Sequence, residues 1–178
     1  SSLFTIARRR ILWLLILVLA NGLTTKVIAM NDQILKEIVL LAAFIPLLIG
    51  TGGNVGAQSS TVVIRGLSTQ KLRSLGAIKA VVKEAITGAL LGVFMMLVVF
   101  PFAWWQGEGP LIASAVGISL ISITTLAATA GAILPLLFDR MKLDPALMSS
   151  PFITTVTDIA GVFIYLSTAK WLLSSSLA

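Results

Sequence analysis

Long apolar runs separated by short polar connections organise the 178 residues of this chain. Five can be read: Ile11–Met30, Ile34–Ile64, Ala85–Trp105, Leu111–Phe138 and Pro151–Leu173. Each is near or above the ~20 residues an α-helix needs to cross the hydrocarbon of a bilayer. Backbone groups in lipid must pair within their own segment, so the pattern predicts an all-α membrane protein with five transmembrane helices. Asn21, Gly22 and Lys26 interrupt the first run, and the second is too long for one plain span and carries a glycine cluster. A tilted or broken helix is expected there. Asn31, Asp32 and Gln33 are expected to turn the chain between the first two runs, and WWQGEGP (104–110) forms a short loop with Gly and Pro as breakers.

Composition agrees with a bilayer as solvent. The chain is 57% hydrophobic and 11% charged, against roughly 25% charged in soluble domains. A net charge of +6 would suit nucleic acid, but its distribution does not. If the runs alternate across the membrane, Arg8, Arg9, Arg10, Arg65, Lys71, Arg73, Lys79, Lys83, Arg140 and Lys142 all fall on one side, leaving Lys26, Lys36 and Lys170 elsewhere. This is the positive-inside asymmetry, which predicts a cytosolic N-terminus and an outer C-terminus. Trp104, Trp105 and Trp171 then fall near the outer interface, where amphipathic rings settle. The basic stretch Ser68–Lys83 has Lys79 and Lys83 four apart, and an amphipathic surface helix touching lipid headgroups is expected. The first run lacks a small-residue cleavage site and is read as a retained span. A chain starting at Ser1 without Met reads as an excised fragment.

With no His and no Cys, thiolate metal sites and disulfides are excluded and the candidate chemistry narrows to oxygen. Asp158 stands out as an acid deep inside an apolar run. A carboxylate there costs roughly 3 kcal/mol on insertion scales, and such residues mark ion or proton pathways. Helical steps from it reach Thr154, Gly161 and Tyr165, with Thr155 and Thr157 flanking the stripe. A protonated carboxylate hydrogen-bonded to a neighbouring helix is the structural alternative. In the second run, PLLIGTGGNVGAQSS (46–60) crowds Gly50, Gly52, Gly53 and Gly56 around Asn54 and Gln58. Small-xxx-small helix packing explains the glycines; it does not explain the two amides, which suit the wall of a polar path. GTGGNVG lacks the Lys-Ser/Thr of a phosphate loop, and no strand precedes it.

An acid, hydroxyls and amide oxygens suit hard divalent cations such as magnesium, calcium or manganese. One carboxylate per chain is a poor cage for a naked ion. Either two copies of Asp158 meet on a dimer axis, or the ion keeps its water shell, as magnesium does readily. Asp144 precedes Pro145 and reads as a turn or helix start, while Asp139 shares its connection; Asp32, Glu37 and Glu108 read as solvated outer charges.

PLLIGTGGNVGAQ, then DPALMSSPFITT followed by Asp158 to Gly161, resembles the transmembrane domain of the MgtE magnesium channel/transporter family. The resemblance runs over essentially the whole chain, residues 1–178, with both motifs in order. It implies a multi-pass domain of the bacterial inner membrane that conducts magnesium, with manganese and cobalt as further candidate ions. It also implies a homodimer with the pore at the subunit interface, and cytosolic N-terminal and CBS domains that are absent from this sequence. By the same resemblance Asp158 binds magnesium, hydrated, with the backbone oxygen of Thr154 nearby. Gly50, Gly53, Asn54, Ala57, Gln58, Thr157 and Gly161 line the path. Ala57 and Ser150 stand where some relatives are expected to carry an amide.

Two other functions fit parts of the pattern. A proton-coupled divalent cation antiporter would let Asp158 alternate between a proton and a metal ion. An intramembrane aspartyl protease needs a second intramembrane acid to share a proton, and none is read beside Asp158, since Glu37 at the edge of the second run is taken as an outer charge.

Overall fold

The computed structural model describes residues 3–37, 39–69, 74–106 and 109–176. Six helices account for nearly all of them: α1 (Leu3–Ala29), α2 (Asp32–Glu37), α3 (Leu40–Ser68), α4 (Ser74–Trp105), α5 (Gly109–Arg140) and α6 (Pro145–Ser176). Lys71, Arg73 and Glu108 lie outside the described residues.

Four helices are long and apolar enough to cross a membrane: α3, α4 from Gly76, α5, and α6 from Pro151 to Ser174. In α1 a shorter stretch, Leu14–Ala29, is apolar, and Arg8, Arg9 and Arg10 fall inside the helix rather than ahead of it. The second run is broken, as its length suggests, but ahead of Leu40 and not in the glycine cluster, which α3 spans whole. Asp32 and Lys36 pair across one turn at 2.5 Å and belong to the short α2, and the spanning helix begins afresh at Leu40. Ser68 ends α3, and Lys79 and Lys83 are early turns of α4, so the expected separate surface helix over Ser68–Lys83 does not form as one element.

Pro145 opens α6 and Pro110 lies in the first turn of α5, but the other four prolines mark no boundary. Pro46, Pro101, Pro135 and Pro151 all lie within helices. Each removes one backbone donor, a loss that membrane helices absorb by re-pairing with hydroxyls and neighbouring helices. Beyond Pro151, its own carbonyl oxygen accepts the hydroxyls of both Thr154 and Thr155, each at 3.0 Å.

The centre of the bundle is α5, which packs against α3, α4 and α6, while α3 also packs on α6 and α1 on α6. The core joins Leu41, Leu48, Val116, Leu120, Ile123, Val162, Tyr165 and Leu166. Small residues set the spacing between α3 and α5. A Cβ on Gly131 would run into the backbone oxygen of Gly56, and one on Gly56 would meet Ile153 as well as the Ala127 carbonyl oxygen at 3.2 Å. This is close backbone packing of the kind that only small residues permit. By contrast α4 is the least buried span, with Ile86, Leu90, Phe94 and Leu97 exposed along its outer side.

A second acid, Glu84, also lies on a helix long and apolar enough to cross a membrane. It is 9% exposed within α4, because this helix extends three turns before the apolar run was taken to start. Lys79 and Lys83, exposed on the same helix, had hidden it in a basic connection. Its helix packs chiefly on α5, whereas Asp158 belongs to α6, beside α3.

Candidate functional site

Two antiparallel helices, α3 and α6, build the site. A Cβ on Gly53 would lie 3.8 Å from Cγ2 of Thr154, and one on Gly52 would lie 3.6 Å from Cβ of Thr157. Further along, the Tyr165 hydroxyl donates to the Leu41 carbonyl oxygen at 3.0 Å. Following the helices in opposite directions from the Gly53–Thr154 contact brings Asp158, four residues on in α6, level with Ile49 and Gly50, about four back in α3.

Asp158 is half-buried, and among the described residues it has neither a hydrogen-bond partner nor a counter-ion. On the α3 side, Gly50 is exposed with no atom within 4 Å of where its Cβ would be, and Asn54 and Gln58 are exposed one and two turns along. Gly53 and Ala57 are half-buried between this open face and α6. The open face therefore carries a carboxylate, two amides and a wall with little side-chain bulk.

The threonines divide by role. The Thr154 hydroxyl donates to the Pro151 carbonyl oxygen. The Thr157 hydroxyl lies 2.9 Å from the carbonyl oxygens of both Ile153 and Thr154, so its hydrogen is shared within α6. Back-bonding of this sort satisfies a hydroxyl inside a membrane helix. It also means that the Thr154 carbonyl has Thr157 beside it, which restrains an oxygen that the sequence reading set near the ion.

Not every expected wall residue lies on the open face. Thr157 is fully buried, against Gly52, and Gly161 is buried with Ile123 carbons 3.7–3.8 Å from its Cβ position. Tyr165 is buried too. The stripe Thr154, Asp158, Gly161, Tyr165 thus starts on the open face and passes into the protein interior as α6 ascends beneath α3. Gly50, Asn54 and Gln58 are exposed along α3, Thr154 is exposed and Asp158 half-buried on the adjoining α6, and Thr157 and Gly161 are buried behind them.

Among the described residues no three acidic side chains gather where one metal ion could be held. A single chain therefore supplies one carboxylate and neutral oxygens, which suits attraction of a hydrated cation better than an enclosing cage.

Long apolar helices around a central one, with a half-buried carboxylate beside a small-residue face, define a multi-pass α-helical membrane protein. Known proteins agree. The family profile MgtE, described as a divalent cation transporter, matches residues 45–168, from the start of the glycine-rich part of α3 to well beyond Asp158. The chain belongs to the MgtE family. It is 39% identical over 166 residues to the magnesium transporter MgtE of Thermus thermophilus, covering 93% of this chain and 37% of that relative. Over 170 residues it is 33% identical to the magnesium transporter MgtE of Bacillus subtilis, with 95% and 38% covered. The chain thus spans little more than a third of the length of these curated relatives.

Proposed function

We propose that residues 1–178 form a magnesium-conducting transmembrane domain that works as a homodimer, with the ion path at the interface between two copies. The observation that carries this reading is Asp158: an intramembrane carboxylate without a partner among the described residues, beside the open Gly50–Asn54–Gln58 face. The relatives' names as magnesium transporters support the choice of ion.

The physical mechanism follows from the donor set. A carboxylate in a low-dielectric surrounding attracts a cation far more strongly than it would in water. A second copy of the chain, seated on the open face of α3 and α6, adds a second Asp158 across the path. Magnesium prefers six oxygens in near-ideal octahedral geometry and sheds water reluctantly. Two carboxylates and a few neutral oxygens cannot replace a full shell, so the ion passes with its waters hydrogen-bonded to Asp158 and to backbone oxygens, that of Thr154 included. Small residues at Gly50, Gly53 and Ala57 leave width for the hydrated ion, and Asn54 and Gln58 offer amide oxygens to its shell. Weak, outer-sphere contacts of this kind also let the ion leave, as conduction requires.

Orientation follows the charge bias: α1 serves as a fifth span, with the basic ends of α1, α4 and α5 on the cytosolic side. The test is magnesium flux into liposomes containing the wild-type chain or Asp158→Asn, which keeps shape and removes charge. Loss of flux by about tenfold or more, the ratio given by 1.4 kcal/mol of lost ion stabilisation, is expected with helicity unchanged. Undiminished flux through the folded Asn variant would discard the site.

A further inference from the structure

We infer that the ends of α4 and α5 nearest Arg140 form a binding site for one anionic glycerophospholipid. Between these helices runs a groove of about 260 Å³. Ala77 and Val81 of α4 and Ile133, Leu136 and Leu137 of α5 line it, and Arg140 in the last turn of α5 stands at its end. Ile78 and Val82 form a ridge that this groove shares with a second one on the outer side of α4, where Lys79, Lys83, Ile86 and Thr87 line the wall.

Two apolar channels straddle one ridge, and cations stand at both. That arrangement matches a two-chain lipid whose acyl tails part around Ile78 and Val82 and whose phosphate meets Arg140 on one side and Lys79 and Lys83 on the other. Exposure of Ile78 (66%), Val82 (53%) and Leu137 (46%) leaves the ridge and groove open to the bilayer, and the three cationic residues are exposed as well.

Charge sorting argues for an anionic headgroup. Neither groove is lined by an acidic side chain. Asp139 and Asp144 line a different recess, with Ile64, Leu67 and Ser68 of α3 and Pro145 of α6, on the other side of α5. Arg140 offers a planar fork of donors matched to phosphate geometry, whereas the two lysines act as point charges. Basic clefts between helix ends at the membrane surface recognise anionic headgroups in this way. The site does not depend on which way the chain is inserted, because both helix ends lie at one surface of the antiparallel α4–α5 pair.

The test compares spin-labelled phosphatidylglycerol with spin-labelled phosphatidylcholine bound to the purified full chain in mixed micelles. Wild type should favour phosphatidylglycerol. Each cation near a headgroup contributes about fivefold in affinity, so Arg140→Gln should weaken that preference by about fivefold, and Lys79→Gln with Lys83→Gln should lower it further. Arg140→Lys should keep most of it, which separates loss of charge from loss of fold. Glycerol phosphate and inorganic phosphate, which lack acyl chains, should not displace the labelled lipid at concentrations matched for ionic strength. An unchanged preference in the folded triple variant would overturn the proposal. So would displacement by the chainless phosphates, which would mean an anion site only, or a groove closed to both lipids, which would mean that a second copy of the chain covers it.

Discussion

Tyr165 and Leu41 are 124 residues apart in sequence, yet the phenol of one donates a 3.0 Å hydrogen bond to the buried carbonyl of the other. This bond ties α6 to the start of α3 through a fully buried aromatic side chain, next to the core residues that α5 contributes. It helps to set the register of α6 along α3, in which Thr154 lies against Gly53 and Thr157 against Gly52.

Tyr165→Phe tests that tie. The ring and its packing stay while the donor goes, so the expected loss is about 0.5–1.5 kcal/mol, the net worth of one hydrogen bond. Thermal unfolding of the purified chain in detergent is the measurement. A midpoint equal to wild type would mean that packing alone fixes the register.

Contact between α3 and α5 should be far less forgiving than the open face. Gly131→Ala forces a methyl group into the Gly56 carbonyl oxygen and should cost about 1–3 kcal/mol, in the range of overpacked cores. Gly50→Ala enters open space and should leave stability unchanged. Reversal of that order in unfolding experiments would show that the two faces have been exchanged.

At Gly53 the outcome depends on size. An added Cβ would stand 3.8 Å from Thr154 Cγ2, an ordinary van der Waals distance, so Gly53→Ala should fold and conduct. Gly53→Leu has to push α6 away or fill the path, and flux should fall by about tenfold or more. Equal flux through both variants would place Gly53 away from the ion's route.

Outer-sphere binding predicts competition by a complex that cannot exchange its ligands. Cobalt(III) hexammine presents N–H donors where hydrated magnesium presents O–H, and should block magnesium flux by occupying the Asp158 site. If simple divalent ions compete and the hexammine has no effect even in large excess, direct coordination of magnesium becomes the better account.

Helix type and the approximate position of the spanning helices were legible in hydrophobic runs, because a lipid-facing helix has to be apolar over its whole width. Helix ends were less so. Runs end where hydropathy ends, but α4 continues through Glu84, Lys83 and Lys79, since a helix can carry polar groups in its first turns when the long cations face outward. Pro151 looked like a start and is an interior residue. Asp158 and the α3 glycines were visible as exceptions to an apolar pattern. Whether a residue on the Asp158 stripe faces the open side or the interior was not, because helical spacing fixes a face only relative to its own axis. Thr157 and Gly161 turn inward because α6 passes beneath α3 and α5, a crossing that no one-helix pattern encodes. Glu84 had one available signal: an acid between Lys83 and an apolar run, on the helix stripe that continues to Gly88.

Asp158 is placed seven residues after Pro151 and seven before Tyr165, about 10 Å along the helix from each. One end of that segment is a proline, where the hydrogen-bond ladder is interrupted and a helix bends most easily. The other end is anchored to α3. A segment pinned above and hinged below swings sideways, not lengthwise. Side chains alone, Ile153 and Thr154 among them, separate it from α3, whereas α3 and α5 touch backbone to backbone and have no such slack. The carboxylate therefore rides on a helix that meets α3 through side chains. A small bend at Pro151 would change the distance between Asp158 and the Gly50 side of α3 while the α3–α5 pair stayed still, and under the proposed function that distance is the adjustable width of the ion's path.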